Sequence, residues 1–460
     1  MTLIKSISGL RGTVGGIPGE TLSPLDIVKF SAAYGTWILE NHSKAKVVIG
    51  RDARPSGEMF SRFVSQTLNT LGIDVVDLGL STTPTVEMAV VAEKAQGGII
   101  LTASHNPAGW NALKLLNDRG EFISADEGKS ILDLAESGEM NFTEARKYGT
   151  TSTDKDYIDW HIQQVLDHEL VDVDAIKSKG FKVIVDAVNS TGGVVIPRLL
   201  RRLGVEVKEL YCEPNGIFPH NPEPLPENLQ SICSEIESGD FDLGIVVDPD
   251  VDRLALICEN GEPFGEEYTL VAVADYVLGQ KKGNTVSNLS STRALRDVTE
   301  KHGGTYFASA VGEVNVVTTM KAENAVIGGE GNGGVIVPEL HYGRDALIGI
   351  ALFLSHLARS NGSAKKLKSS YPSYHISKNK IELTPDIDLE AILNKIQTKY
   401  AGQPVTTIDG VKIEFDKEWV HLRKSNTEPI IRIFAESDTL ATADHLAQKL
   451  IMDIKEVIAQ

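Results

Sequence analysis

The chain is poor in cysteine and has no segment apolar enough to enter or cross a membrane. Its 460 residues include three cysteines, Cys212, Cys233 and Cys258, which are widely spaced and form no pair at metal-ligand spacing. This pattern predicts free thiols in a reducing compartment. No apolar run approaches the ~18 residues that span a bilayer, and the N-terminal segment MTLIKSISGLRG lacks the apolar stretch of a secretion signal. We therefore expect a cytoplasmic protein with no membrane partner.

Basic residues are outnumbered as well. Lys and Arg total 45 against 63 Asp and Glu, which gives a net charge of −18. So acidic a surface disfavours binding to nucleic acid, and we expect no nucleic-acid partner. A small anionic ligand remains possible, but it would need local basic groups. Arg and Lys in polar loops are therefore informative.

A strand–helix unit recurs along the chain. The segment KVVIGRDARPSG at 46–57 is matched by KVIVDAVNSTGG at 182–193 and, more faintly, by NTVSNLSSTRAL at 284–295. Further strands and helices alternate after each copy, as in α/β units with parallel central strands. A chain of this length also suits three or four domains of about 100–150 residues. We predict three similar mixed α/β domains.

The last part of the chain has a different pattern. From about residue 370, strand-like runs such as GVKIEF and IIRIFAES are interspersed with helical stretches, and an amphipathic helix closes the chain. This predicts a C-terminal α+β domain, and so four domains around a central cleft. The predicted boundaries are 1–150, 151–253, 254–369 and 370–460.

The final strand of each α/β unit runs into an unusual loop. These loops are TASHNP (102–107), DPDVDR (248–253) and GEGNGG (329–334). In open α/β sheets, ligands bind beyond the carboxyl ends of the strands. Three copies arranged around one centre would bring together a hydroxyl, an acidic cluster and a glycine-rich acidic loop.

The DPDVDR loop carries the strongest chemical signal. Asp248, Asp250 and Asp252 alternate, and Pro249 forbids a helix. Alternate side chains of an extended segment face the same way, so we expect the carboxylates to converge. An all-oxygen cluster suits a hard cation such as Mg²⁺. A solvated acidic turn is the alternative.

Ser104 lies in a loop that also has the composition of an ordinary turn. A serine hydroxyl is a poor nucleophile without help, and no G-x-S-x-G hydrolase motif surrounds it. A magnesium ion on the three aspartates would instead polarise a phosphate carried by Ser104. Lys114 is a candidate base if neighbouring cations lower its pKa. His105 adjoins the serine.

Arginine-containing loops are candidate anion sites. RKSNTEP (423–429) combines a guanidinium, hydroxyls and an amide, a suitable phosphate cradle, with Arg432 on the strand that follows. A polar hairpin turn is at least as good an explanation. SGLRGTVGG (8–16), which contains Arg11, and GRDARPSG (50–57) could each bind an anion or form a structural turn.

With these motifs the chain resembles the α-D-phosphohexomutases: phosphoglucomutase, phosphomannomutase and phosphoglucosamine mutase. The resemblance covers essentially the full length, with TASHNP, DPDVDR, GEGNGG and RKSNTEP in the family order. It implies an isomerase that moves a phosphoryl group between C6 and C1 of a hexose phosphate. It further implies Mg²⁺, a phosphoserine at Ser104 and a sugar 1,6-bisphosphate that acts as intermediate and activator.

The resemblance also implies a role for each motif. The metal ligands would be Ser104, Asp248, Asp250 and Asp252, and the catalytic groups would include Ser104, Lys114, His105 and Arg253. The substrate-binding residues would be Arg11, Glu330, Asn332, Arg423, Ser425, Asn426, Thr427 and Arg432.

Two positions depart from the family pattern. Ala112 follows Asn111, where a glycine is common. In the sugar loop, many bacterial members read Gly-Glu-x-Ser-Gly-His, but here Asn332 and Gly334 stand in place of the serine and the histidine. We hypothesise that His341 replaces the missing histidine in acid–base catalysis. This form of the loop is similar to archaeal-type phosphoglucosamine mutases, which favours that activity over phosphomannomutase or phosphoglucomutase.

Two other classes of function compete with a mutase. A metal-dependent phosphatase would use the same serine and metal, but the second phosphate loop argues against it. A non-catalytic sugar-phosphate-binding relative would be expected to lose Ser104 or an aspartate, and none is lost. We expect a small-molecule hexose phosphate as partner and a monomer or homodimer.

Overall fold

Four β-sheets, each packed with its own helices, make up the protein. The computed structural model describes residues 2–6, 9–153, 156–360, 362–382, 389–424 and 430–458. Within these ranges, three sheets are mixed and the fourth is antiparallel. The predicted fold class, three similar mixed α/β domains followed by an α+β domain, is confirmed.

The first sheet has seven described strands in the order β1-β2-β6-β5-β3-β4-β7. Its strands are β1 (Ile4–Ser6), β2 (Gly9–Thr13), β3 (Lys46–Arg51), β4 (Asp74–Leu80), β5 (Gly97–Leu101), β6 (Trp110–Leu116) and β7 (Thr151–Ser152). Its helices are α1 (Pro24–Asn41), α2 (Gly57–Thr70), α3 (Thr83–Ala92) and α4 (Ala125–Ser137). The central strands are continuous buried β-branched runs, because helices cover both faces of the sheet.

The second and third sheets repeat one four-stranded plan, with orders β11-β10-β8-β9 and β13-β12-β14-β15. The second unit contains α5 (Tyr157–Leu166), α6 (Val173–Lys179), β8 (Lys182–Asp186), α7 (Gly192–Arg202), β9 (Glu206–Leu210), α8 (Gln230–Ser238), β10 (Leu243–Val247) and β11 (Leu254–Cys258). The third contains α9 (Glu266–Gln280), β12 (Asn284–Asn288), α10 (Ala294–Lys301), β13 (Tyr306–Ser309), α11 (Glu313–Ala322), β14 (Ala325–Glu330), β15 (Gly334–Ile336), α12 (Ala346–Arg359) and α13 (Ala364–Lys368).

The fourth sheet is antiparallel, in the order β16-β20-β19-β18-β17, with two helices packed on it. Its elements are β16 (His375–Glu382), α14 (Leu389–Lys399), β17 (Val405–Thr406), β18 (Val411–Glu414), β19 (Trp419–Lys424), β20 (Ile430–Ser437) and α15 (Leu440–Ile458). No helix among the described residues has both the length and the apolar character needed to span a membrane.

Each α/β sheet ends in a hairpin that the sequence did not reveal. After the last parallel strand the chain turns and returns antiparallel: β5 pairs with β6, β10 with β11, and β14 with β15. The turns of these hairpins are the loops TASHNP, DPDVDR and GEGNGG. The three loops therefore lie at carboxyl ends of parallel strands, as predicted. Each loop is also followed by an antiparallel return strand, which holds its second end in the sheet.

The elements also show how the units are held together. The second and third units share one continuous apolar core, to which α12 contributes ten buried apolar residues. The first and fourth units have separate cores. The fourth unit docks on the third through polar contacts, among them Arg296 to Glu414 at 3.1 Å and the Lys412 ammonium to the Leu289 carbonyl at 2.8 Å.

Candidate active site

Ser104 of the first unit meets the acidic loop of the second. Its Oγ donates to Oδ2 of Asp248 at 2.8 Å, although 144 residues separate the two in sequence. The Ser104 backbone has a φ of 48°, a left-handed conformation that is costly for a residue with a side chain. The backbone N–H, held by the Thr102 hydroxyl at 2.9 Å, helps to fix this conformation. Strain of this kind is typical of functional sites.

A buried guanidinium holds the serine loop in shape. Arg54 is 1% exposed, and its Nε donates to Asp52 at 2.9 Å. Its two terminal nitrogens donate to four loop carbonyls, those of Ser104 (2.5 Å), Asn106 (2.6 Å), Pro107 (2.5 Å) and Trp110 (3.1 Å). Of the two explanations of GRDARPSG, the geometry supports the structural turn, because the guanidinium is used by protein acceptors. Arg54 was not among the predicted site residues.

The acidic loop gathers its three carboxylates by a turn rather than by an extended strand. Oxygens of Asp248, Asp250 and Asp252 all lie within 4.8 Å of one another, and all three residues are buried. The expectation of an extended segment was wrong: the loop is a turn, and Val251 within it has a φ of 64°. A β-branched residue in this region is a true outlier. The convergence was expected, but its geometric cause is different.

Two carboxylate oxygens of this cluster indicate whether the site suits a cation. Asp250 Oδ1 and Asp252 Oδ1 are buried, and neither accepts a hydrogen bond from any residue in the described part of the chain. The other oxygens do: Lys114 and Thr83 donate to Asp250 Oδ2, and backbone amides donate to Asp248 Oδ1. Buried acceptors without donors are costly. The free oxygens and the all-carboxylate donor set fit Mg²⁺.

The pKa values of the aspartates also favour a bound cation. Burial, together with repulsion from Asp252 and Asp250, raises the pKa of Asp248 well above its ordinary value. Burial acts against the charge of Asp250 too, but Lys114 overcomes it and holds the pKa of Asp250 below its ordinary value. Repulsion among the three carboxyl groups therefore favours the protonated form of Asp248, and a divalent cation among them would relieve this repulsion.

Lys114 is a cation here rather than a free amine. Its ammonium lies 2.7 Å from Asp250 and 3.6 Å from Asp252. Although burial acts to lower the pKa of Lys114, the two aspartates raise it overall. The condition under which Lys114 would act as a base, a pKa lowered by neighbouring cations, is therefore not met in this arrangement. A protonated Lys114 can bind phosphoryl oxygens or donate a proton.

Further positive charge surrounds the serine. Arg11, which lies on strand β2 rather than in the predicted loop, donates to the Asn106 side chain at 3.0 Å. The Arg253 Nε lies 4.0 Å from Asp248 and 3.9 Å from Asp252. His105 has its Nδ1 3.4 Å from the Ser104 Oγ. Burial and then Arg253 and Arg11 lower the pKa of His105 to about 2, so the imidazole is neutral and the surroundings suit an anion.

The loop GEGNGG is tied into the site through Glu330. Burial favours protonated Glu330, but Arg344 holds its pKa below the ordinary value, so the side chain is a carboxylate. It accepts from Asn288 (2.9 Å), the Gly312 amide (3.2 Å) and Arg344 (2.9 Å). Since a carboxylate can accept about four hydrogen bonds, there is room for one ligand hydroxyl. Asn332 Oδ1 accepts from the Gly334 amide at 3.2 Å, which closes the turn.

Arg344 was missed by the sequence reasoning, which took only His341 from the segment ELHYGRD. The Arg344 guanidinium donates to Asp252 at 2.6 Å and to Glu330, and so joins two of the three loops. His341 lies elsewhere: its ring nitrogens are 3.3 Å from Asp345 and 3.4 Å from Glu87. The structure thus brings His341 to buried carboxylates rather than to Ser104.

Two arginines of the fourth unit lie side by side. Arg423 on β19 and Arg432 on β20 are directly opposed across the strand pair. Burial lowers the pKa of Arg423, and Arg432 lowers it further although Asp409 opposes this. Like charges directly opposed are destabilising, so the pair suits an anion. Ser425, Asn426 and Thr427 lie outside the described residues.

The arginine pair is connected to the other loops through Asp409. Asp409 Oδ2 lies 4.0 Å from the Arg423 guanidinium and accepts from the Val311 amide at 3.0 Å. The next amide, that of Gly312, donates to Glu330, which Arg344 joins to Asp252. Contacts therefore run without interruption from the arginine pair to the acidic cluster beside Ser104.

Comparisons with known proteins agree with the geometry. Four family models match: phosphoglucomutase/phosphomannomutase alpha/beta/alpha domains I, II and III at residues 4–142, 155–261 and 265–374, and the C-terminal domain at 380–452. The chain is 35% identical over 435 residues to a phosphoglucomutase/phosphomannomutase of Thermococcus kodakarensis, covering 93% of this chain and 94% of the relative.

Two further relatives extend the comparison. A phosphoglucosamine/phosphogalactosamine mutase of Sulfurisphaera tokodaii is 33% identical, covering 98% of this chain and 99% of the relative. The solved structure of a phosphoglucomutase/phosphomannomutase family protein from Burkholderia thailandensis superimposes with a TM-score of 0.86 at 26% identity, covering 99% and 97% of the two chains.

Proposed function

The chain belongs to the phosphoglucomutase/phosphomannomutase family, and on that premise we propose that it moves a phosphoryl group between C6 and C1 of glucosamine phosphate through Ser104. The observation that carries the proposal is the 2.8 Å hydrogen bond from the Ser104 hydroxyl to Asp248, within a buried cluster of three aspartates. This contact joins a hydroxyl that can carry phosphate to a site that can hold magnesium.

In this proposal the three aspartates hold the metal ion, and the basic side chains bind the phosphoryl oxygens directly. Magnesium held by Asp248, Asp250 and Asp252 would supply positive charge against the phosphoryl oxygens. Lys114 and Arg253 bind the same oxygens from the protein side, so that charge is neutralised on several faces. Arg54 fixes the loop, which keeps Ser104 Oγ aligned for in-line transfer.

In the forward step, the bond from Ser104 Oγ to phosphorus breaks and a bond from a sugar hydroxyl oxygen to the same phosphorus forms. The hydroxyl proton passes to the Ser104 oxygen that the phosphoryl group leaves, so the products are a sugar 1,6-bisphosphate and a free Ser104 hydroxyl. After the bisphosphate has turned over in the site, the same exchange run backwards transfers its other phosphate to Ser104, and the sugar oxygen that is released takes up the serine proton. The same bisphosphate, added from solution, would therefore load Ser104 and act as activator.

The arginine pair gives the mutase a second anion site. Arg423 and Arg432 would bind the phosphate that is not being transferred, with Ser425, Asn426 and Thr427 completing the loop. Glu330 and Asn332 would bind sugar hydroxyls, and Arg11 would support the substrate near Asn106. A phosphatase needs no such second site. Closure of the C-terminal unit over the bound phosphate would exclude water, which would otherwise hydrolyse the phosphoserine.

The choice of sugar rests on relatives and on the loop sequence. The phosphoglucosamine/phosphogalactosamine mutase relative supports glucosamine phosphate. The phosphoglucomutase/phosphomannomutase relative, slightly more similar, supports glucose or mannose phosphate as the second candidate.

One assay separates these possibilities. The protein is incubated with Mg²⁺, a trace of sugar bisphosphate and, in turn, glucosamine 6-phosphate, glucose 1-phosphate and mannose 1-phosphate. Isomerised sugar without free phosphate, fastest with glucosamine phosphate, supports the proposal. Faster turnover of glucose or mannose phosphate would favour the second candidate. Free phosphate alone would indicate a phosphatase, and no turnover a non-catalytic binder.

A further inference from the structure

One buried side chain connects the candidate metal loop to the candidate sugar loop. The Arg344 guanidinium donates through Nη2 to Asp252 (2.6 Å), through Nε to Glu313 (2.8 Å) and through Nη1 to Glu330 (2.9 Å). The three acceptors come from three elements: the DPDVDR turn, the first residue of α11, and the last residue of β14. The Arg344 side chain is 10% exposed, so these ion pairs are shielded from water.

The contact with Asp252 decides which oxygen of that carboxylate is available to a cation. Arg344 occupies Oδ2, while Oδ1 is the buried oxygen without a hydrogen-bond donor among the described residues. A side chain behind a metal ligand fixes the orientation of that ligand. Arg344 therefore aims Oδ1 of Asp252 into the acidic cluster.

The contact with Glu330 fixes the side chain that immediately precedes the turn of the candidate sugar loop. Glu330 ends β14, immediately before the turn Gly331–Gly334, and Arg344 holds one of its oxygens. The packing is close: a Cβ on Gly334 would overlap Cδ of Arg344. The arginine stem thus lies directly against the sugar loop, and any side chain at position 334 would displace it.

We propose that Arg344 is a positioning residue that couples magnesium binding at Asp252 to hexose phosphate binding at Glu330. A cation on Asp252 fixes that carboxylate, the fixed carboxylate orders the guanidinium, and the guanidinium orders Glu330 before the sugar arrives. The sugar then binds to a loop that is already partly ordered, so less conformational entropy is lost on binding. By linkage, the sugar strengthens magnesium binding by the same factor. The inference rests on the proposed function.

The test measures binding rather than turnover. In a Ser104→Ala background, in which no phosphoryl group can be transferred, calorimetry gives the dissociation constant of glucosamine 6-phosphate with and without saturating Mg²⁺. We expect magnesium to tighten binding of the sugar by about fivefold or more, the lower end of typical couplings. With Arg344→Lys, which keeps the charge but lacks the planar fork whose three nitrogens each reach a different carboxylate, the factor should fall towards one.

A second variant, Gly334→Ala, disturbs the packing of Arg344 against the sugar loop without changing Arg344 itself. Gly334→Ala retains the guanidinium, and the backbone of Gly334 lies outside the left-handed region. The methyl group is opposed mainly by Cδ of Arg344, which it would overlap, and less severely by Oδ1 of Asn332, at 3.1 Å from the added Cβ. The variant should reduce the coupling as Arg344→Lys does. The matched controls are Arg359→Lys, at a half-exposed ion pair with Asp172, and Gly279→Ala, where a Cβ would make only an ordinary contact with His302. Both should keep the coupling of the parent.

The outcomes separate the two levels of the hypothesis. Coupling in the parent that is lost in both site variants, and kept in both controls, supports the inference. Coupling retained in either folded site variant overturns it while leaving the proposed function intact. If the parent binds magnesium but none of the three hexose phosphates, the proposed function fails and the inference fails with it.

Discussion

Arg54→Lys is the substitution whose effect can be worked out most fully from the structure. The native guanidinium makes five hydrogen bonds, one to Asp52 and four to carbonyls of the serine loop. A lysine ammonium has three donors and no planar fork. If one donor stays on Asp52, at least two of the four loop carbonyls lose a charged partner.

The expected cost follows from those two lost bonds. Hydrogen bonds to charged groups contribute about 1.5–3 kcal/mol each, so the loop should lose about 3–6 kcal/mol. At 1.36 kcal/mol per factor of ten, opening of the loop becomes at least a hundredfold more frequent. A displacement of about 1 Å at the reacting atom costs about a hundredfold in rate, so kcat should fall by a similar factor. KM should change little, because the arginine pair at Arg423 is unaffected.

Two measurements check this prediction. Amide hydrogen exchange of residues 102–110 reports opening of the loop, and steady-state kinetics separates kcat from KM. The control is Arg62→Lys in α2, whose side chain is 68% exposed and pairs with Glu58; such surface pairs contribute about 0–1 kcal/mol. Unchanged exchange in the loop together with wild-type kcat for Arg54→Lys would refute the assigned role of Arg54.

Three further predictions concern other parts of the site. Because burial raises the pKa of Asp248, a cation must displace a proton from it; magnesium affinity measured by calorimetry should rise with pH, by up to about tenfold per unit below that pKa, and affinity independent of pH would contradict this. Arg423→Gln should raise KM for the hexose phosphate by about ten- to a hundredfold by removing a charge-assisted contact; an unchanged KM would place the second phosphate elsewhere. Because the His341 ring faces Asp345 and Glu87 rather than Ser104, His341→Ala should change kcat by less than about tenfold; a fall of about a hundredfold or more would support the hypothesised role in acid–base catalysis.

The sequence predicted the chemistry of the site better than its geometry. Strand-end loops with distinctive side chains sufficed to predict that Ser104 and the three aspartates would be neighbours. The sequence did not reveal the return strands β6 (WNALKLL) and β15. Each follows its loop directly, and no separate turn motif between the loop and the strand marks where the strand begins. The extended form assumed for DPDVDR failed because Val251 adopts a left-handed conformation that no local preference of valine would suggest.

The residues that sequence reasoning missed act on the backbone or on other side chains. Arg54 and Arg344 stand in polar segments where an arginine is usually a solvated or paired surface residue, and nothing local reveals that each is buried among several acceptors. The sequence left the pKa of Lys114 conditional on its neighbours for a related reason. Its partners, Asp250 and Asp252, come from another unit of the fold, and only the tertiary structure brings them close.

The most direct test of the account follows a labelled phosphate through Ser104. The protein is incubated with Mg²⁺ and a hexose 1,6-bisphosphate bearing radiolabelled phosphate, the peptide containing Ser104 is analysed, and unlabelled hexose monophosphate is then added. The account predicts label on Ser104 that passes to the sugar, and no label on a Ser104→Ala variant. Label released as inorganic phosphate when the sugar is added, or label on a residue other than Ser104, would contradict it.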